Sequence, residues 1–334
     1  MRALLALVLL VPGLAYRAHA DPRVLRIASV APDGTAWARE LKAFAREVDE
    51  QTHGEVHIKL YLGGIVGDEI EVMARIEKDQ IDGQIAGGIC TRVAPSLRVL
   101  ILPGLFQNRA EAAFVVNHLR PLLDAEATHA GYALLGTSGL GPQIILSRTP
   151  IRTLTELRAA RLWKWQLEEV GVTTLEHMGV ALELSTSLND AAGAYDRGTV
   201  NGFLAAPTAA LAFQWTVRAR YFTDLRTGYL TGCHVIAIRA LDRISAENQR
   251  ILRTLTVKLE ARMEEVGARA DEALLGGLFQ KQGLIPVKVS EAFRADFFEA
   301  ARSAREALGT SLVPAELLQR VTSLIADFRA EHAR

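Results

Sequence analysis

The sequence is poor in the features that accompany charge-driven binding or metal chemistry. Among its 334 residues, Lys plus Arg and Asp plus Glu both number 38, so no overall basic field would attract nucleic acid or anionic lipid. The two cysteines do not form C-x-x-C, and the eight histidines are spread along the chain. We therefore expect no nucleic-acid partner, no metal site and no cofactor.

Catalytic motifs are also missing. The glycine-rich stretch GTSGLG at residues 136–141 has Leu140 where a G-x-S-x-G nucleophile elbow needs glycine. It lacks the G-x-G-x-x-G order of a phosphate-binding loop, and a strand-like run follows it, so we predict a turn between two strands. His177 and His234 could act as bases only if folding placed them beside a nucleophile. No residue is therefore predicted to be catalytic.

Cys90 and Cys233 leave two alternatives open. They lie far apart in the sequence, and an oxidising compartment would permit a disulfide between them. Free cysteines, however, are often small buried hydrophobic residues. The sequence does not give the distance that would decide between the two.

The N-terminus has the pattern of a secretory signal peptide over residues 1–20. Arg2 precedes an apolar run, and an A-x-A end follows at Ala18 and Ala20. The run is shorter than the roughly 20 residues needed to span a bilayer, so a retained anchor is the weaker interpretation. We expect a mature protein that begins near Asp21 and is soluble in the periplasm.

Alternating apolar runs and helical patterns predict an α/β fold with two lobes. Successive β-α-β units imply a mostly parallel sheet in each lobe. We place lobe I at residues 21–145 plus about 233–285, lobe II at 146–232, and C-terminal helices at 286–334. Strands that cross between the lobes and a long helix from Ser245 towards Gly277 should join them. Ligands then tend to bind in the cleft, beyond the carboxyl ends of the strands.

The stretch RLWKWQ, residues 161–166, is the most unusual in the chain. It holds two of only four tryptophans. Because side chains alternate along a strand, Trp163 and Trp165 should share one face and Lys164 should point the other way. The tryptophan face is either core or ligand site, and the strand ends where a site between lobes would lie.

Several stretches together resemble the DctP-type solute receptors of TRAP transporters. They are LGGIVGDEIEVMARIEKDQIDGQIAGG, LPGLF, RTPIRTLTELRAARLW and YDRGTVNGF, and they cover nearly the whole mature chain in order. The resemblance implies a two-lobed periplasmic receptor that closes on a small ligand, usually an organic acid. It also implies partnership with the membrane subunits of an ion-driven permease.

Three departures from the family pattern change the expected ligand. Trp163 stands where family members generally carry an arginine that holds the ligand carboxylate, although a slip of one residue would offer Lys164. Pro142 occupies a second commonly basic position, and Ala205 an asparagine position. We therefore expect a ligand more hydrophobic or aromatic than a simple dicarboxylate. Some receptors that work with a tetratricopeptide-repeat partner also lack the arginine, and this chain would belong with them.

The candidate ligand-binding residues are aromatic side chains and groups near predicted strand ends. They are Asp33, Trp37, Glu69, Cys90, Thr91, Phe106, Gln143, Trp163, Lys164, Trp165, Phe203, Ala205 and Trp215. For Trp37 and Trp215 the alternative is core packing, and for Asp33 and Glu69 it is helix capping. Two other functions stay open: an extracytoplasmic enzyme on a binding-protein scaffold, and a structural or signalling protein with a filled cleft.

Overall fold

The computed structural model describes residues 23–185 and 187–332. The predicted signal peptide at residues 1–20 lies outside this part of the chain. None of the helices described is long and apolar enough to cross a membrane.

The helices and strands alternate along the chain as the sequence patterns predict. The first part contains β1 (Arg23–Ser29), α1 (Ala36–Gln51), β2 (Val56–Tyr61), α2 (Glu69–Glu77), β3 (Gly83–Ala86), α3 (Cys90–Val93), a 3-10 helix (Pro95–Ile101), α4 (Arg109–His129) and β4 (Tyr132–Pro142). The middle part contains β5 (Ile144–Ser147), α5 (Leu154–Ala159), β6 (Arg161–Trp165), α6 (Glu169–His177), β7 (Ala181–Ser185), α7 (Asp190–Asp196), β8 (Gly202–Ala205), α8 (Pro207–Ala212), a 3-10 helix (Trp215–Val217) and β9 (Tyr221–Thr223). The last part contains β10 (Tyr229–Ala237), α9 (Ile238–Leu241), α10 (Ala246–Ala273), a π-helical turn (Leu274–Leu278), α11 (Phe279–Lys281), β11 (Ile285–Val287), α12 (Glu291–Leu308), a 3-10 helix (Gly309–Ser311) and α13 (Ala315–His332).

Two sheets form the centres of two lobes. The lobe I sheet has the order β2-β1-β3-β10-β4, and the lobe II sheet has the order β11-β9-β5-β8-β6-β7. Only β10 in the first sheet and β5 in the second run against their neighbours. The prediction of a two-lobed α/β fold with mostly parallel sheets is confirmed.

Two chain crossings connect the lobes at one place. Gln143 lies between β4 and β5, and residues 224–228 lie between β9 and β10. The Gln143 backbone N–H donates to the Gly228 carbonyl at 2.8 Å, and the Thr227 N–H donates to the Gln143 carbonyl at 3.0 Å. The two crossing segments are therefore joined by a pair of backbone hydrogen bonds, as adjacent β-strands are.

Sheet membership differs from the predicted lobe boundaries in three places. Ile144 and Ile145, predicted in lobe I, belong to β5 of the second sheet. Residues 229–232, predicted in lobe II, already pair with β4 in the first sheet. Strand β11, predicted among the C-terminal helices, pairs with β9. One residue, Gln143, separates β4 from β5, so the boundary is set by pairing with distant strands, which a local sequence pattern does not show.

The glycine-rich stretch at residues 136–141 is part of β4, so the predicted turn is wrong. Its glycines allow α10 to pack very closely. A Cβ on Gly136 would lie 2.5 Å from Glu260 Oε1, and one on Gly139 would lie 2.6 Å from Glu264 Oε2. The Gly139 N–H donates instead to Glu264 at 2.8 Å. Glycine serves here for close approach between helix and strand.

Helix α10 links the lobes. Its 28 residues span about 42 Å at 1.5 Å per residue. It packs on α1 and β4 in lobe I and reaches α8 in lobe II. Helix α12 packs on α5 and α6, and α13 packs on α4, so the C-terminal helices cover both lobes.

Candidate functional site

An apolar cavity of about 120 Å³ lies between the lobes. It is placed at the carboxyl ends of β1 and β3 in lobe I and of β6 and β8 in lobe II, where parallel sheets usually bind ligands. Eight of the candidate residues line it: Trp37, Glu69, Cys90, Thr91, Trp163, Trp165, Ala205 and Trp215. No Arg, Lys or His is found among the described residues that line it.

Strand β6 sends both tryptophans to the cavity, as alternation predicts. Trp163 is only 1% exposed, and its ring centroid lies 5.0 Å from that of Trp215. The Trp163 Nε1–H is buried and has no hydrogen-bond partner in the described part of the chain. A buried donor without an acceptor is costly, so this N–H is available to an oxygen on a ligand.

Phe203 does not line the cavity but supports its wall. Its ring stacks on Trp215 at 5.2 Å between centroids and on Tyr195 at 4.9 Å. Phe213, which does line the cavity, stacks on Trp215 at 5.5 Å. The indole of Trp215 is thus held between two aromatic rings, which pre-organises this side of the cavity.

Lys164 points away from the tryptophans and is completely buried. Its Nζ forms an ion pair with Glu168, four residues later, and the side-chain amide of Gln143 also donates to Glu168. Lys164 and Gln143 do not line the cavity, whereas Glu168 does. The lysine therefore neutralises a carboxylate of the protein itself and is not a free cation for a ligand.

Glu69 is the other carboxyl group at the cavity. It is 2% exposed, although it directly follows Asp68, the residue that caps α2. Its Oε1 accepts the Gly87 N–H at 2.7 Å, and its Oε2 accepts the Ile89 N–H at 2.9 Å. Burial raises the pKa of Glu69 to about 7, against the opposing effect of these N–H donors. The capping alternative thus applies to Asp68, while Glu69 turns inward.

Cys90 and Cys233 form a disulfide, with 5.7 Å between their Cα atoms. The bond joins the start of α3 to β10 inside lobe I. Of the two alternatives left open by the sequence, the structure has the cross-link. Cys90 lines the cavity directly after the segment that binds Glu69, so the disulfide holds part of the cavity wall in place.

Asp33 and Phe106 lie away from the cavity lining. The Asp33 carboxylate is exposed, accepting from the Gly34 N–H at 2.7 Å and from Lys42 Nζ at 2.6 Å. The hydrogen bond from Lys42 lowers the pKa of Asp33. Phe106 is buried in the hydrophobic core. Its apolar segment therefore serves packing, while Asp33 serves a surface turn.

The lobes are in contact around the cavity. A Cβ on Gly88 of lobe I would lie 2.6 Å from the Leu167 side chain of lobe II. Arg92 and Arg98 approach Glu169 of lobe II at 3.6 and 3.5 Å. The Thr208 hydroxyl of α8 donates to the Leu140 carbonyl at 3.4 Å. The structure is thus a closed form of the two-lobed protein.

The histidines singled out in the sequence lie away from the cavity in the described part of the chain. Neither His177 nor His234 lines the cavity, and burial lowers the pKa of His234 to about 4. His53 and His57 are four residues apart, but His53 lies in the turn after α1 and His57 lies on β2, paired with Asp49 at 2.6 Å. In the described residues no group of three or more His, Cys, Asp or Glu could hold a metal ion.

Sequence reasoning missed several residues that line the cavity. Examples are Ser29, Leu140, Leu167, Glu168, Phe213 and Met263. Ser29 ends β1 and could have been found from the rule that sites lie beyond strand ends. The others come from a strand crossing, a turn, a short helix end and α10, and no local pattern brings them together.

A family model for bacterial extracellular solute-binding proteins of family 7, named DctP, matches residues 27–308. The chain belongs to this family. It is 23% identical over 301 residues to the protein YiiZ of Salmonella typhimurium, covering 88% of this chain and 87% of the relative.

Solved structures share the DctP fold over nearly the whole chain. A sugar acid binding protein from Advenella mimigardefordensis in complex with galactonate has a TM-score of 0.84 and 16% identity, over 92% of this chain and 99% of that one. A TRAP periplasmic solute binding protein from Haemophilus influenzae with bound L-gulonate has a TM-score of 0.83 and 17% identity, over 91% and 99%. At these identities the likeness shows a shared fold.

Proposed function

We propose that this DctP-family protein is the periplasmic receptor of a TRAP-type transporter for a ligand more hydrophobic or aromatic than a simple dicarboxylate. The observation that carries the proposal is the lining of the cavity: tryptophans on several sides, two carboxyl groups, and no basic side chain among the described lining residues. A ligand carboxylate would be desolvated there without a compensating charge, at a cost of several kcal/mol.

Trp163 explains why an acid is disfavoured. It stands where the family resemblance implies an arginine, and Lys164, the neighbouring alternative, is already paired with Glu168. The relatives solved with galactonate and L-gulonate hold sugar acids. We infer that the substitution of an indole for a guanidinium has moved this protein to a different ligand class.

Closure of the two lobes on the ligand would link binding to transport. The tryptophans of β6 belong to lobe II, while Glu69 and Trp37 belong to lobe I, so a ligand in the cavity contacts both lobes. Such a ligand stabilises the closed form relative to the open one. The membrane subunits of the permease would then receive ligand from the closed receptor.

The enzyme alternative is less well supported. The raised pKa of Glu69 is a feature that general acids share. However, both of its oxygens accept backbone N–H groups, and no histidine or cysteine thiol faces it from the described lining. A receptor needs only a pre-organised cavity between its lobes, and such a cavity is present.

Native mass spectrometry of the protein as purified tests the proposal, followed by thermal shifts with a library of sugar acids, C4-dicarboxylates, organic ammonium compounds and small aromatic compounds. We expect a retained apolar ligand, or the largest rise in Tm from an apolar or aromatic compound. The largest rise from a C4-dicarboxylate would overturn the proposed ligand class. Absence of any ligand and of any shift would count against transport itself. The tetratricopeptide-repeat partner stays a prediction from the resemblance, and co-purification from the source cell tests it.

A further inference from the structure

We propose that the ligand of this receptor is a compact organic ammonium ion, bound between the Glu69 carboxylate of lobe I and the indole of Trp165 of lobe II. The inference rests on the proposed function and specifies the charge and size of the ligand. It follows from the charges around the cavity, the position of Gly87 and the volume available.

The first argument is charge. Glu168 has its compensating cation in Lys164. Glu69 is at least as deeply buried, and the contacts it makes are with backbone N–H groups and no cationic side chain. The four lone pairs of the carboxylate face the N–H groups of Gly87, Gly88 and Ile89, which leaves one acceptor position for a ligand. A cationic ligand would favour the ionised form of Glu69, whose pKa burial raises to about 7, and would supply its compensating charge.

The second argument is geometry at Gly87. A Cβ on this residue would lie 3.9 Å from Glu69 Oε1 and 3.5 Å from Trp165 Cζ3. The carboxylate and the Cζ3 edge of the indole therefore border the same small volume, one from each lobe, and Leu140 Cδ1 borders it at 3.1 Å. Ammonium groups bind between a carboxylate and an aromatic face, because both attract positive charge and the indole tolerates attached methyl groups. A cation there would draw the lobes together.

The third argument is size. A cavity of about 120 Å³ is slightly smaller than the roughly 150 Å³ that accommodates benzene in an engineered protein core. By this comparison the closed form suits a ligand of about six non-hydrogen atoms, the size of benzene. Residues 23–185 and 187–332 supply no acceptor for the buried Nε1–H of Trp163, which adds a preference for one acceptor oxygen, such as a hydroxyl.

Three probes of nearly equal shape separate the contributions: choline, its neutral carbon isostere 3,3-dimethylbutan-1-ol, and the anion 3,3-dimethylbutanoate. Calorimetry and thermal shift on the full mature protein should show choline binding at least about tenfold more tightly than the alcohol, with the anion weakest. Glu69→Gln should remove the preference for choline, and Glu69→Asp, which keeps the charge, should retain part of it. Glu183→Gln, an exposed carboxylate on β7, is the matched control and should change nothing.

The outcomes separate this inference from the proposed function. Equal or tighter binding of the neutral alcohol overturns the ammonium ion and leaves an apolar-ligand receptor in place. Tightest binding of the anion overturns both. Failure of all three probes to bind overturns the compact ammonium ligand, while the native mass spectrum still decides the wider proposal.

Discussion

Removal of the Cys90–Cys233 disulfide should destabilise the protein strongly. The two residues are 143 positions apart, and the intervening chain includes the whole lobe II strand series from β5 to β9. For a closed loop of that length, the chain-entropy relation gives a stabilisation of about 5 kcal/mol at 25 °C, because the cross-link restricts the unfolded chain. With a shift of roughly 2 °C per kcal/mol for a chain of this size, Tm should fall by about 10 °C.

The assay is thermal and urea unfolding of the wild type and the Cys90→Ala/Cys233→Ala variant, followed by circular dichroism with and without a reductant. Reductant should lower the Tm of the wild type towards that of the variant and leave the variant unchanged. Ligand affinity should fall as well, since Cys90 follows the segment that binds Glu69. A loss of stability below about 1 kcal/mol would refute the loop-entropy reasoning.

Three further predictions concern the charges at the cavity. Trp163→Arg should convert the site towards small carboxylates, with lactate affinity rising at least about tenfold by calorimetry, because a buried guanidinium can pair with a carboxylate; no gain would contradict the assigned role of Trp163. Lys164→Met should lower the free energy of unfolding by about 3–5 kcal/mol, since Glu168 is left buried without its cation, and Lys164→Met/Glu168→Gln should recover much of the loss in urea titrations. Between pH 4.5 and 7 the native Glu69 stays protonated while the unfolded one ionises, so this group should cost about 3 kcal/mol of stability as pH rises through that window. Burial also raises the pKa of Asp271 to about 6, which lowers stability as pH rises, whereas the lowered pKa of His234 raises stability as pH rises. The test is therefore the difference in the pH dependence of unfolding free energy between wild type and Glu69→Gln. This difference should disappear if Glu69 does not titrate in that window.

The sequence was informative where a local rule decides the geometry. Alternation along β6 placed Trp163 and Trp165 on one face and Lys164 on the other, and the structure has this arrangement. Ligands tend to bind beyond the carboxyl ends of parallel strands, and this rule placed Cys90 and Thr91, which follow β3, at the cleft, where both line the cavity.

Contacts between segments that are far apart in the chain could not be predicted from the sequence. Glu168 directly precedes α6, where a carboxylate commonly complements the helix dipole, yet its side chain binds Lys164 and Gln143. The glycines of β4 were predicted to form a turn. They are needed instead because the carboxylates of α10 pack against them, and these carboxylates lie more than a hundred residues further along the chain. A single sequence carries no distance information that would connect such positions.

Gln143 connects the crossing between the lobes to a carboxylate that lines the cavity. Its backbone is bonded to the other crossing strand at Gly228 and Thr227, and its side-chain amide donates to Glu168 at the cavity. The crossing between the lobes and the charge network behind the two tryptophans therefore share one residue, through its backbone and its side chain.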